Sequence, residues 1–226
     1  MRCNPQDPKW EDRDRFILSA GHKCLALYSV LAEKGFFDKE IFGLYDSFNG
    51  PLPGHPDRHK LPGVEANTGS LGHGLAIGGG MALAGKINQK DYKVYVLMGD
   101  GETAEGSVWE SAEIAYHYKL DNLVAIIDRN RLQISGETKN VLDTESLLKK
   151  WKAFGWEALE VNGHDFNELI DVFRNLPIKE NKPSCIITNT IKGKGLSFAE
   201  NNYKYHYWKP TKEEMEKALK ELGMKN

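Results

Sequence analysis

Val94-Tyr95-Val96-Leu97-Met98-Gly99-Asp100-Gly101 is an apolar run that stops at a carboxylate set between two glycines. A run of this kind reads as a buried strand, and its end places Asp100 at the strand's carboxyl edge. A helical pattern from Ser107 to Tyr118 follows, then a second apolar run, Leu123 to Asp128, which leads into Arg129-Asn130. A helix of about twelve residues returns roughly 18 Å, close to the length of a five- or six-residue strand. The second strand can therefore run parallel beside the first, about 4.8 Å away. Asp100 and Asn130 then emerge on one edge, where both side-chain oxygens can reach one ion.

Working outward, Trp156 to Val161 and Ser184 to Ile191 read as further strands, with helices over Thr144 to Phe154 and Phe166 to Asn175. A last helix starts near Lys212, with Thr211 as N-cap and Glu214 three residues on, a capping box. Strands alternating with helices predict a three-layer α/β/α fold with a mainly parallel sheet. The first ninety residues read differently: a helix from about Ala20 to Glu33, a Gly/Pro-rich stretch from Gly43 to Gly63, and a Gly/Ala-rich helix from about Leu71 to Lys86. No shift in composition marks a linker, so residues 1–226 are expected to form one domain. A structureless stretch of this length inside a domain is unusual and often functional.

A carboxylate, an amide oxygen and a nearby backbone carbonyl are hard ligands that leave positions open, which suits magnesium completed by phosphate oxygens and water. Calcium or manganese are possible substitutes. With one protein anion the metal stays net positive. Together with backbone N–H groups at Gly99 and Gly101 and the helix start near Ser107, it makes a site for a diphosphate. The carboxyl edge of an open α/β sheet is where ligands are expected. A Gly-Asp-Gly alone is a common turn; its strand-helix-strand-Asn context carries the reading.

Composition narrows the classes. The chain has 226 residues, with 30 Lys+Arg against 32 Asp+Glu and a net charge of −2, so no basic field awaits a nucleic acid. No apolar run approaches the roughly 20 residues of a membrane span. Cys3, Cys24 and Cys185 form no zinc or redox spacing. The polar, Pro-punctuated Met1–Trp10 segment resembles neither a secretory signal nor a transit peptide, which leaves a cytoplasmic location as the expectation.

Several blocks resemble the N-terminal, diphosphate-binding subunit of split transketolases. They are Arg13-Asp14-Arg15-Phe16-Ile17-Leu18-Ser19-Ala20-Gly21-His22, Pro53-Gly54-His55-Pro56, Leu61-Pro62-Gly63-Val64-Glu65, Thr68-Gly69-Ser70-Leu71-Gly72-His73-Gly74, Gly99-Asp100-Gly101 with Asn130, and Thr190-Ile191-Lys192-Gly193-Lys194-Gly195. The resemblance implies a thiamine diphosphate-binding fold with Asp100, Asn130 and the Leu132 carbonyl as metal ligands. It implies that Gly99 and Gly101 meet the diphosphate, that His22 and His206 contact phosphates or substrate, that Gly69 and Leu71 meet the aminopyrimidine ring, and that Ile134 packs on the cofactor. It further implies a substrate-hydroxyl contact for His55 and, for Glu105, a reach across an oligomer interface toward the glutamate that activates the cofactor; Glu105 and His206 are thus the catalytic candidates. His73 stands where single-chain transketolases commonly have glutamine.

The activity implied is transfer of a two-carbon ketol unit from a ketose phosphate to an aldose phosphate, as in the pentose phosphate pathway. The activating glutamate belongs to a pyrimidine-binding domain for which nothing after Ser197 leaves room. A separate C-terminal subunit is therefore expected, in an α₂β₂ assembly. The usual 40 to 50 residues before the segment matching Asn4-Pro5 are expected to be missing, which bears on sugar binding and on the cover of the helix from Ala20. The alternatives are a catalytically silent cofactor-binding scaffold, or a subunit of another thiamine diphosphate enzyme such as a deoxyxylulose-phosphate synthase or a 2-oxo acid dehydrogenase.

Overall fold

A computed structural model describes residues 1–224; the last two positions of the expected 1–226 domain lie outside the described residues. In chain order the strands are β1 (Arg15–Leu18), β2 (Val94–Gly99), β3 (Leu123–Arg129), β4 (Leu132–Gln133), β5 (Gly136–Glu137), β6 (Glu157–Asn162) and β7 (Ser184–Asn189). The helices are α1 (Cys24–Glu33), α2 (His73–Ile87), α3 (Gly106–His117), α4 (Thr138–Val141), α5 (Leu147–Ala153), α6 (Phe166–Arg174) and α7 (Lys212–Glu221). Five strands form one parallel sheet in the order β1-β2-β3-β7-β6, and β4 and β5 make a small antiparallel hairpin.

The two-residue period of the strands divides the core. Val94, Val96 and Met98 of β2, with Leu123, Ala125 and Ile127 of β3, face one way and meet Leu75 of α2, Val108 of α3 and Trp151 of α5. Tyr95, Val124 and Ile126 face the other way, toward Leu169 and Phe173 of α6. Full burial of each large apolar side chain stabilises by about 1.5–3 kcal/mol, which fixes the strand register because a one-residue slip would reverse every face. A third cluster joins Leu27, Tyr28 and Leu31 of α1 to Leu52, Leu61 and Val64, so the Pro-rich stretch is packed down by its own apolar residues. At Gly78, a Cβ would stand 2.5 Å from Val96 Cγ2, so glycine is what lets α2 lie this close to the sheet.

The three-layer fold and the four strands expected from the sequence are present, with differences that have local causes. β1 was not foreseen: its four residues follow Glu11-Asp12-Arg13-Asp14, and only pairing with β2, Arg15 opposite Val94, makes them a strand. The helix expected from Ala20 starts at Cys24, after a 3₁₀ turn over Gly21–Lys23. The helix expected from Leu71 starts at His73, because Gly72 takes a left-handed φ of 82°. β7 ends at Asn189 rather than Ile191, and α5 is shorter than Thr144 to Phe154. The capping box of α7 is formed as expected, with Thr211 and Glu214 bonded reciprocally.

Candidate cofactor and metal site

β2 and β3 run in register with Gly99 opposite Asp128, so Asp100 and Asn130 leave the sheet at neighbouring strand ends. Asp100 is only 3% exposed. Its carboxylate accepts the N–H of Gly101 at 2.8 Å and that of Arg131, the residue after Asn130, at 2.7 Å. Arg131 reaches it from a left-handed turn, φ 62°. Burial pushes the Asp100 carboxyl above its ordinary value, and the two backbone N–H bonds offset this in part. Asn130 donates from Nδ2 to Asp128 at 3.1 Å, and its Oδ1 accepts the Leu132 N–H at 3.0 Å.

This donor set fits a hard dication. A buried carboxylate, an amide oxygen with a second lone pair and the carbonyl of Leu132 in β4 are all oxygen ligands, and a cation beside Asp100 would relieve the cost of burying its charge. No group of three or more His, Cys, Asp or Glu residues placed to hold a metal ion occurs among the described residues, which leaves the mixed oxygen set as the candidate at these strand ends.

Beside these residues a cavity of about 340 Å³ opens, lined by His22, Lys23, Asn130, Thr190 and Lys192 among others. Lys23 pairs with Asp128 at 2.7 Å, and Thr190 Oγ1 also donates to Asp128. Burial works to raise the Asp128 carboxyl, but Lys23 and the hydrogen bonds from Thr190 and Asn130 carry it below the ordinary carboxylate value. Lys192 is pushed down by burial and then by the neighbouring Lys23. His22 falls to about 4, through burial first and then the proximity of His206, Lys23, Lys192 and His55. His206 is lowered by burial, Lys192 and Lys23. The two imidazoles, with ring centroids 5.3 Å apart, are therefore neutral near pH 7, and His206 Nδ1 is buried without a hydrogen-bond partner among the described residues. The neutral His22 imidazole and the Lys23 and Lys192 ammonium groups around this cavity form a donor-rich surface suited to an anion.

Sequence reasoning missed Glu102, which is 3% exposed. Its Oε1 accepts the Gly72 N–H at 2.9 Å and a hydrogen bond from Ser19 Oγ, while Oε2 accepts the Gly99 N–H at 3.1 Å. One carboxylate thus ties the end of β1, the end of β2 and the turn before α2. The only signal in the sequence was its place directly after Gly-Asp-Gly. Lys23 was missed as well, since a lysine after a histidine reads as solvated.

The remaining expected positions divide. His55 lies on the Pro-rich stretch against Gly69, where a Cβ would stand 3.0 Å from the imidazole Cδ2. A Cβ at Gly21 would meet the Thr68 carbonyl at 2.5 Å, so the His22 turn and the Thr68-Gly69 segment are in contact. Leu71 is half-buried in the same segment. Glu105 is exposed at the N-cap of α3 and Ile134 is 60% exposed at the β4–β5 hairpin. The expectation that Gly99 and Gly101 offer free N–H groups to a phosphate is corrected: both already donate, to Glu102 and Asp100, because those carboxylates are buried within reach. The exposed His164 accepts the Ile191 N–H at Nε2, 2.8 Å away, and so ties the end of β6 to the segment after β7.

Comparison with known proteins meets this geometry. A family model described as transketolase, thiamine diphosphate binding domain, matches residues 1–226. A protein of Phocaeicola vulgatus named as one of the subunits of an apulose-4-phosphate transketolase is 50% identical over 223 residues, 99% of this chain and 79% of that protein. A 6-deoxy-6-sulfo-D-fructose transketolase subunit of a Clostridium species is 41% identical over 225 residues, 98% of this chain and 81% of that protein. Among solved structures, the transketolase of Campylobacter jejuni superposes with a TM-score of 0.92 at 34% identity, covering 99% of this chain. The chain spans 36% of that longer protein's length. With the fold, the strand-end cluster and these relatives together, the chain belongs to the transketolase family, as its thiamine diphosphate-binding domain.

Proposed function

We propose that this chain is the cofactor-anchoring subunit of a ketol transferase, holding the diphosphate of thiamine diphosphate through magnesium. The observation that carries the proposal is the convergence of Asp100 and Asn130 at adjacent strand ends, beside a cavity rimmed by Lys23, Lys192 and the neutral His22, on which His206 packs. Thiamine diphosphate, when bound, supplies the nucleophile and electron sink that let the bond beside a ketose carbonyl be cleaved. The chain's own part is to hold and orient. Asp100, Asn130 and the Leu132 carbonyl would bind the metal, with calcium or manganese as substitutes. His22 and His206, unprotonated near pH 7, offer N–H donors to phosphate or sugar oxygens. Gly69 and Leu71 would border the aminopyrimidine, Ile134 would pack on the cofactor, and His55 would meet a substrate hydroxyl.

Relatives named as single subunits of a transketolase support a separate partner, and we assign it the pyrimidine-binding domain with its activating glutamate, in an α₂β₂ assembly. The exposed Glu105 would reach toward that glutamate across the interface. The relatives' names also favour a donor ketose with an anionic end, phosphate or sulfonate. The test is reconstitution: this chain, the partner chain, thiamine diphosphate and magnesium should together transfer a two-carbon unit from a ketose phosphate to an aldose phosphate. Full turnover by this chain alone would refute the partner requirement, and cofactor binding by the complex with no ketose turnover would favour a silent scaffold.

A further inference from the structure

Lys23 leaves the 3₁₀ turn at the end of β1 and ends on Asp128 of β3, 2.7 Å away. On the way its ammonium passes Gly99 of β2, where a Cβ would stand 3.6 Å from Nζ. One cation therefore spans the carboxyl ends of three adjacent strands, beside Asp100 and Asn130. An ammonium has three N–H donors, and the one hydrogen bond this ammonium makes among the described residues is to Asp128. The side chain keeps 24% of its surface exposed, on the cavity that Lys192, His22 and Thr190 share. The pair with Asp128 uses one of those donors and leaves the others toward the cavity. The amides of Gly99 and Gly101, the obvious backbone donors at these strand ends, are taken by Glu102 and Asp100. An anion placed there meets the Lys23 ammonium instead.

We propose that Lys23 is a ligand of the diphosphate: Asp128 aims its ammonium, and the remaining N–H donors bind phosphate oxygens beside the metal. The inference rests on the cofactor reading above and goes beyond it in naming a cation that the expected set of site residues did not contain. A compact ammonium serves phosphate as a point charge, and hydrogen bonds between charged groups correspond to about 10- to 100-fold in affinity.

The test is calorimetric titration of the full chain with inorganic diphosphate in saturating magnesium, with thermal melting of each variant alongside. Lys23→Met should weaken diphosphate binding about 10- to 100-fold and shrink the diphosphate-induced rise in melting temperature, each variant being read against its own melting without diphosphate. Lys23→Arg should keep most of the affinity. The double variant Lys23→Met/Asp128→Asn should bind as weakly as Lys23→Met. Wild-type affinity in Lys23→Met would overturn the proposal. Recovery in the double variant would overturn it too, by showing that Lys23 only neutralises Asp128. If the wild-type chain took up no magnesium diphosphate, the cofactor reading itself would fall, and this inference with it.

Discussion

The carboxylate of Glu102 accepts the backbone N–H of Gly72 at 2.9 Å, joining the end of β2 to the left-handed turn that starts α2. The same carboxylate holds Ser19 and Gly99, so three segments at the carboxyl edge of the sheet share one buried anchor. Its donors are backbone and hydroxyl groups of fixed position, which makes the anchor sensitive to chemistry rather than to size.

Glu102→Gln keeps the shape but turns an N–H₂ group toward donors that need an acceptor. Leaving buried donors unpaired costs about 1–3 kcal/mol. Urea unfolding should show a loss of that order with an unchanged slope. A stability equal to the wild type would mean that the three bonds do not anchor the loops.

On the proposed reading, Asp100→Asn removes the charged oxygen ligand while sparing most of the packing. Magnesium-dependent affinity for thiamine diphosphate, read by calorimetry, should fall about 10- to 100-fold. Unchanged cofactor affinity would place the metal elsewhere.

His22 has its folded pKa carried down to about 4 from an ordinary 6.5, by burial first and then by His206 and the two lysines. Its neutral form is the one the fold accepts, so between those values the unfolded chain binds more protons. Its contribution to stability is complete above about pH 6.5 and is lost as pH falls toward 4. An NMR titration of the His22 ring should find its midpoint near 4, and His206→Ala should move it upward by easing burial and repulsion together. A midpoint near the ordinary value would contradict this arrangement of cations.

His55 is exposed and rests on Gly69. His55→Ala should therefore raise the KM for the ketose, or lower kcat/KM, by more than it changes calorimetric cofactor affinity. Equal losses in both would count against a contact with substrate.

Trp151 and Trp156 pack edge to face in the core, centroids 4.7 Å apart. Trp156 donates to the Ala112 carbonyl at 3.0 Å, whereas the indole N–H of Trp151 has no partner among the described residues. Trp151→Phe gives up no hydrogen bond, so thermal melting should place Trp156→Phe below it, by about 1 kcal/mol for the lost bond. The reverse order would show that cavity volume outweighs the bond.

The central strands were legible because burial on both faces demands continuous apolar runs, and the Gly-Asp-Gly turn marks where β2 ends. Asp100 and Asn130 followed from those ends. β1 was not legible, since four residues after a charged stretch carry too little pattern, and the β4–β5 hairpin is shorter still. Glu102 and Lys23 escaped for one reason: a charged side chain in a sequence reads as solvated, and only the packing of distant segments reveals which charge is enclosed.

The amino-acid order by itself determined the parallel α/β class, the strand at whose end Asp100 stands and the family to which the chain is similar, because all three depend on local periodicity and on contiguous blocks of residues. Tertiary structure alone decided that Glu102 serves three backbone segments, that Gly99 and Gly101 have no amide to spare, and that Lys23 crosses β2 to reach Asp128. Those facts depend on which strand ends lie side by side, a distance that hydrogen bonding between strands sets and that separation along the chain does not encode.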